Sequence, residues 1–141
     1  MKRLILILFV VSIVNSFAQT KLDYGIQFYH GTWKEACDKA KAENKLIFVD
    51  FYTQWCGPCL NMAENVFILP FIGDFYNTNF VNMKIDAENG EGVELAKRYG
   101  VNSYPTYVFV DPKNGDVVHQ SKSRQEAEQF LATGKSALVS E

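Results

Sequence analysis

The chain has 141 residues, of which 48% are hydrophobic and 21% are charged, and these values are typical of one globular domain with its own core. Its formal net charge of −2 argues against a nucleic-acid-binding protein, because such proteins carry a basic patch. Three cysteines are too few for a scaffold that is held together by disulfides.

The first 18 residues have the composition of a secretory signal peptide. Lys2 and Arg3 precede an apolar run over 4–14, and a small-x-small pattern ends at Ala18. The apolar run is shorter than the roughly 20 residues that cross a membrane, although an uncleaved anchor is the alternative. We therefore expect a periplasmic or secreted protein that is cleaved near Ala18.

Two regions are expected after this signal peptide. Residues 19–25 form an N-terminal tail, and residues 26–141 form a single domain. Export places the domain in an oxidising compartment, where disulfides persist.

Strands and helices alternate along the domain in the pattern of an α/β protein. The run at 46–52 is apolar apart from one aspartate, as expected of a central strand that is buried on both faces. The predicted elements, in chain order, are a short edge strand at 26–30, a helix at 31–45, the strand at 46–52, a helix from residue 56 that stops before Pro70, a second helical piece at 70–78, a strand at 80–86, a helix at 92–100, a strand at 105–111, a turn at 111–115, a strand at 116–120 and a last helix from residue 123.

Two capping boxes are predicted at helix starts. Thr32 with Glu35 precedes the first helix, and Ser123 with Glu126 precedes the last one. The first helix has an apolar stripe that includes Cys37, which is expected to be a buried small hydrophobe rather than a regulatory thiol.

These elements predict a three-layer α/β/α sandwich. The strands that alternate with helices give a parallel core sheet, and the C-terminal hairpin adds an antiparallel edge, so the central sheet is mixed. Helices cover both faces of the sheet.

The pair Cys56 and Cys59 has four possible uses. A haem attachment site needs a histidine after the second cysteine, where Leu60 stands. A zinc site needs four ligands, and the remaining cysteine and the two histidines are scattered, so no metal site is expected. A structural disulfide would close a very short loop and stabilise little.

A redox centre explains the residues around the pair. Cys56 follows a buried strand and opens a helix whose N-terminus favours a thiolate, and a thiolate is the attacking species in disulfide exchange. Cys59 lies one turn further and can resolve a mixed disulfide. Pro58 fits the first helical turn, Gly57 lets another chain approach the sulfur, and Trp55 gives an apolar rim.

Asp50 lies within the central strand. Burial would raise the pKa of its carboxyl, which could then take and return the proton of Cys59 as a general base. The alternative is that Asp50 stands at the end of the strand in contact with solvent.

Two stretches resemble the thioredoxin family. "VDFYTQWCGPC" at 49–59 is similar to the active-site segment, including the aspartate before the first cysteine. "YGVNSYPTYVFVDPKNGDVV" at 99–118 is similar to the segment that contains the cis-proline. The resemblance covers about 26–131, and the insertion at 67–79 resembles exported thioredoxin-like domains of the disulfide-reductase type.

The resemblance implies a thioredoxin-like fold and a role for each matching position. Cys56 resembles the nucleophile, Cys59 the resolving cysteine and Asp50 the buried acid. Pro105 resembles the cis-proline beside the sulfurs, and backbone groups of Tyr104 would pair with a bound peptide. The expected substrate-binding residues are Trp55, Gly57, Pro58, Tyr104 and Pro105.

Three positions depart from the family pattern. Asn82 stands where many thioredoxins have a lysine near the buried acid. Ser103 replaces a common glycine, and Tyr104 is bulkier than the usual aliphatic residue. These differences bear on substrate choice and on which groups set the pKa of the buried acid.

The resulting hypothesis is an exported, monomeric thiol–disulfide oxidoreductase. It uses no cofactor beyond its own dithiol, and it reduces protein disulfides because no histidine between the cysteines further stabilises the thiolate. A reductase outside the cytoplasm implies a membrane thiol that donates electrons. The alternative is a binding or chaperone-like module whose cysteines are idle.

Overall fold

The protein is described from a computed structural model over residues 24–140. The predicted signal peptide and most of the predicted tail lie outside these described residues. None of the helices within them is long and apolar enough to cross a membrane. The elements, in chain order, are α1 (Trp33–Glu43), β1 (Leu46–Tyr52), α2 (Gly57–Asn65), α3 (Pro70–Asn79), β2 (Phe80–Asp86), α4 (Gly92–Arg98), β3 (Thr106–Val110), β4 (Val117–Lys122) and α5 (Ala127–Val139).

The strands of the described region form one mixed sheet in the order β2-β1-β3-β4. β1 and β2 are parallel, whereas β1 and β3, and β3 and β4, are antiparallel. The predicted parallel core is therefore limited to one strand pair. The seven residues of α4 span about 10 Å, whereas β2 is about 23 Å long. β3 starts at the end of the sheet where β2 finishes and runs antiparallel to β1, so the connection through α4 does not return along the sheet.

Helices cover both faces of this sheet and confirm the predicted three-layer sandwich. On one face, Val49 and its neighbours pack with residues of α1 and α4. On the other face, Phe48 and its neighbours pack with residues of α2, α3 and α5. The first six residues of β1 are buried, as the apolar run predicted.

The N-terminal edge differs from the prediction of a strand at 26–30. Phe28 forms only an isolated bridge with Asn82, in which the Tyr29 N–H donates to the Asn82 carbonyl at 2.7 Å. The N–H of Gln27 donates instead to the side chain of Asn77 at 2.8 Å. The side-chain amide of Asn77 thus takes the place of a backbone carbonyl of β2 as the acceptor. The segment therefore runs beside β2 but does not form a regular strand pair with it.

The start of α1 confirms the first capping box. The Thr32 hydroxyl accepts a hydrogen bond from the Glu35 N–H, and the Glu35 carboxylate accepts one from the Thr32 N–H. Ala36 and Ala40 take the fully buried positions of the helix. Cys37, predicted to be buried, is only partly buried beside them, and this burial raises the pKa of its thiol.

The second predicted capping box is wrong. Helix α5 begins at Ala127, and its N-cap, Glu126, forms no side-chain cap. Ser123 has a φ of +70° and donates its N–H to the Pro105 carbonyl at 3.0 Å. The Glu126 carboxylate pairs with Arg124 at 2.7 Å. Both residues of the predicted box therefore have other partners.

Candidate active site

The two cysteines of the predicted pair form a disulfide at the N-terminus of α2. Cys56 is the N-cap of this helix, and its Sγ accepts a hydrogen bond from the Cys59 N–H at 3.1 Å. The two Cα atoms are 5.3 Å apart. Because the sulfur of Cys56 already replaces an N-cap oxygen, the helix N-terminus is placed to stabilise negative charge on that atom.

A cavity of about 300 Å³ lies against the disulfide. Trp55 and Leu60 are exposed along it, and Lys84 reaches it from β2. Gly57 also lines it, and a Cβ atom added there would contact nothing within 4 Å. The cavity therefore leaves the sulfurs approachable from one side, although both cysteines are themselves buried.

Asp50 is almost completely buried, with 1% of its surface exposed. It lies on the sheet face that packs against α2, the helix that carries Cys59. Burial raises the pKa of this carboxyl to about 6, and the nearby charge of Lys84 partly opposes the shift. The carboxyl is therefore suited to exchange a proton near neutral pH, whereas its role as a general base stays a prediction.

The cation beside Asp50 is Lys84, which the sequence analysis missed. Its Nζ lies 3.5 Å from Asp50 Oδ2, at the outer limit of a hydrogen bond. The same atom lies 5.9, 4.8 and 5.7 Å from the ring centroids of Phe28, Tyr52 and Phe67. Three aromatic rings thus hold the ammonium group beside the carboxylate.

Asn82, which stands at the usual lysine position of the family, has a different task. Its amide donates to Asn77 Oδ1 at 3.1 Å and to the Gln27 carbonyl at 3.4 Å. It therefore ties the N-terminal segment to β2. Lys84, and not residue 82, is the lysine that pairs in register with Asp50. This register is known only once the sheet has formed, so the sequence alone did not indicate it.

The predicted cis-proline loop lies against Trp55, the residue that precedes Cys56. The Tyr104–Pro105 peptide bond is cis, and Pro105 is buried. The ring of Tyr104 contacts that of Trp55 edge to face, with centroids 6.0 Å apart. The Trp55 indole N–H donates to both carboxylate oxygens of Glu88 at 3.1 Å, a contact that the sequence did not indicate. Glu88 therefore fixes the rim beside Cys56.

The structure brings the predicted site residues together at one end of the sheet. Pro58 is exposed in the first turn of α2. In residues 24–140, no group of three or more His, Cys, Asp or Glu side chains is arranged to hold a metal ion. The residues that assemble are Asp50, Trp55, Cys56, Gly57, Pro58, Cys59, Tyr104 and Pro105, with Lys84 and Glu88 added by the structure.

Comparisons with known proteins agree with this arrangement. The family model described as a thioredoxin-like domain matches residues 33–138. Thioredoxin-1 of Drosophila yakuba is 46% identical over 69 residues, which are 49% of this chain and 60% of that protein. The chain spans less than two thirds of the length of the first curated relatives that it matches.

Solved structures cover more of the chain. A solution structure from Bacteroides thetaiotaomicron, of a protein provisionally described as a disulphide-isomerase, matches with a TM-score of 0.74 and 42% identity. The match covers 84% of this chain and 97% of that one. A thioredoxin from Thermus thermophilus matches with a TM-score of 0.72 and 28% identity, over 82% of this chain and 88% of its own.

Proposed function

The chain belongs to the thioredoxin family, and from this premise we propose that it is an exported thiol–disulfide oxidoreductase that reduces disulfides in other proteins. The observation that carries the proposal is the Cys56–Cys59 disulfide at a helix N-terminus, beside a cavity and above a buried acid. Each part has a task in disulfide exchange.

The first step is attack by Cys56. In the reduced protein its thiolate, stabilised by the Cys59 N–H and the helix N-terminus, attacks one sulfur of a substrate disulfide. The substrate S–S bond breaks, and its second sulfur leaves as a thiolate. Cys56 is then joined to the substrate in a mixed disulfide.

The second step is resolution by Cys59. Its thiol transfers a proton to the Asp50 carboxylate, and the sulfur attacks Cys56 Sγ. The mixed disulfide breaks, and its electron pair leaves on the substrate sulfur, which takes up a proton. The substrate gains two electrons, and the protein returns to its oxidised form.

Exposed rings beside the disulfide support a protein substrate. Trp55 is 69% exposed, and its contact with Tyr104 joins the rim to the cis-proline loop. A peptide that approaches Cys56 would meet these rings and the backbone of that loop. For a protein outside the cytoplasm, the electrons would come from a membrane thiol donor.

The direction of exchange is tested by the reduction potential of the mature domain, equilibrated with glutathione and dithiothreitol. A value near −270 mV, as in thioredoxin, supports a reductase. A value near −120 mV, as in a strong oxidant, would reverse the direction.

Substrate trapping tests the roles of the cysteines. Cys59→Ser should accumulate mixed disulfides with substrate proteins, whereas Cys56→Ser should form none and Cys37→Ser should behave as the wild type. If Cys56→Ser still supports the native role, the binding or chaperone-like module is the better hypothesis. Mass spectrometry of the exported form tests cleavage near Ala18.

A further inference from the structure

A row of polar side chains crosses the sheet at the level of Asp50. Lys84 on β2 and Tyr107 on β3 are both in register with Asp50 on β1, and Ser121 on β4 is in register with Tyr107. Partners in register project from the same face of a sheet and lie close together. This row therefore passes beneath α2, on the face where the resolving cysteine is carried.

Tyr107 is the neighbour of Asp50 on β3, and the two reaction steps described above assign it no role. Its side chain is fully buried, and its ring packs against Phe130 with centroids 5.1 Å apart. Among the described residues, its hydroxyl has no hydrogen-bond partner, and neither does Asp50 Oδ1, whereas Asp50 Oδ2 has only the long contact with Lys84 at 3.5 Å. Buried polar atoms without partners are rare and costly, so unpartnered atoms on neighbouring residues call for an explanation.

The chemistry of the two groups is complementary. Burial, and secondly the charge of Asp50, raise the pKa of Tyr107 well above its usual range, so the phenol keeps its proton. A neutral phenol can donate one hydrogen bond, and an ionised carboxylate can only accept. Hydrogen bonds of this kind, with a charged acceptor, are among the stronger ones in proteins.

We propose that Tyr107 is a positioning residue of the thiol–disulfide reaction, whose hydroxyl donates to one bridging water that in turn donates to the ionised Asp50 carboxylate. The inference rests on the proposed function. In the resolving step the proton moves from Cys59 Sγ to Asp50, the sulfur keeps its electron pair and bonds to Cys56, and Tyr107 retains its own proton throughout. Tyr107 thus controls how readily Asp50 accepts the proton.

The other groups that face Asp50 act in distinct ways. Lys84 approaches from β2 as a cation, and Cys59 lies on the helix above. Tyr52, on the same strand, has its pKa raised first by burial, then by the charge of Asp86 and then by that of Asp50. Tyr76 packs against this face from α3, and its hydroxyl donates to the Phe130 carbonyl at 2.8 Å, so it is not available to Asp50.

This last contact supplies a matched control. Tyr107→Phe and Tyr76→Phe each remove one hydroxyl from a fully buried tyrosine on the same face and leave the ring in place. The pKa of Asp50 is measured in the oxidised protein by carbon-13 NMR of its labelled carboxyl. Tyr107→Phe should raise it by about one pH unit, the size expected for one lost hydrogen bond to a charged group. Tyr76→Phe should leave it unchanged.

Single-turnover resolution of a mixed disulfide supplies the second readout. The apparent pKa in the pH profile of the resolution rate should rise by the same amount in Tyr107→Phe. In an Asp50→Asn background, Tyr107→Phe should leave the resolution rate unchanged. An unchanged carboxyl titration, or an equal shift in Tyr76→Phe, would overturn the inference while disulfide exchange continues. A wild-type chain that exchanges no disulfides would overturn the proposed function and, with it, the role given to Tyr107.

Discussion

The burial of Asp50 predicts an unusual dependence of stability on pH. The pKa of this carboxyl is raised from 3.8 to about 6 in the folded chain. A raised pKa means that the folded state binds the proton more tightly than the unfolded state does. The stabilising effect of the protonated acid is therefore fully present below about pH 4 and is lost as the pH rises to about 6.

The size of the effect follows from the shift. Two pH units correspond to about 3 kcal/mol, because each unit is worth about 1.4 kcal/mol. Replacing Asp50 with Asn removes the titration, since the amide is neutral at every pH. The difference in unfolding free energy between Asp50→Asn and the wild type should therefore increase by about 2–3 kcal/mol between pH 4 and pH 7.

Urea unfolding of the oxidised protein, followed by circular dichroism at several pH values, measures this difference. Keeping the protein oxidised prevents Cys56 and Cys59 from titrating, and the pKa of the free Cys37 thiol is raised by burial, so it lies above this pH range. Glu35 and Asp86, whose pKa values are lowered by hydrogen bonds from Thr32 and from the Glu88 N–H, give the opposite slope in both proteins, so subtraction removes them. Asp74→Asn, at an exposed acid, is the matched control and should show no such trend. A difference that stays constant from pH 4 to pH 7 would refute the reasoning.

Substitutions at three further positions test the surroundings of the disulfide and the packing of α4 against β2. Lys84→Met removes the cation beside Asp50 and should raise the pKa of that carboxyl by about one further pH unit; an unchanged carbon-13 titration would contradict this. Glu88→Ala frees the Trp55 ring and should lower the rate constant of substrate attack about two- to fivefold, the effect of one exposed hydrogen bond, with a matching change in tryptophan fluorescence. Glu88→Gln, which keeps an acceptor, should restore most of the rate. Gly92→Ala would place a Cβ atom against the backbone carbonyl of Asp86 at the end of β2 and should cost about 1–3 kcal/mol in urea unfolding; wild-type stability would show that the start of α4 can shift away from this carbonyl.

Local signals in the sequence were sufficient for most of the framework. The apolar run of β1 and the capping box of α1 depend on residues that are close in the chain, and the structure has both where they were predicted. The start of α5 was wrong because its decisive contacts are tertiary. Ser123 bonds to Pro105, which is distant in sequence, and this contact has no counterpart in the local pattern.

The site could be predicted only as far as its residues are adjacent in the chain. The spacing of Asp50, Cys56 and Cys59 on a strand and the following helix is local, and it pointed to redox chemistry. Lys84 and Tyr107 come into register with the acid through the pairing of three strands. Strand register is set by how the whole sheet packs, so neither partner could be identified from its own neighbours in the sequence.

The burial that costs stability at neutral pH is also what makes Asp50 useful to the proposed reaction. A solvated aspartate would stay ionised near neutral pH and would be a weak base for a thiol, whereas a carboxyl with a pKa of about 6 can both take and return the proton. Asp50→Asn should therefore be more stable than the wild type at pH 7 and slower in resolving the mixed disulfide. Attack by Cys56 should change less, because its sulfur is stabilised by the helix N-terminus. If Asp50→Asn is more stable than the wild type but resolves the mixed disulfide at the wild-type rate, the Asp50 carboxyl is not the general base of the reaction.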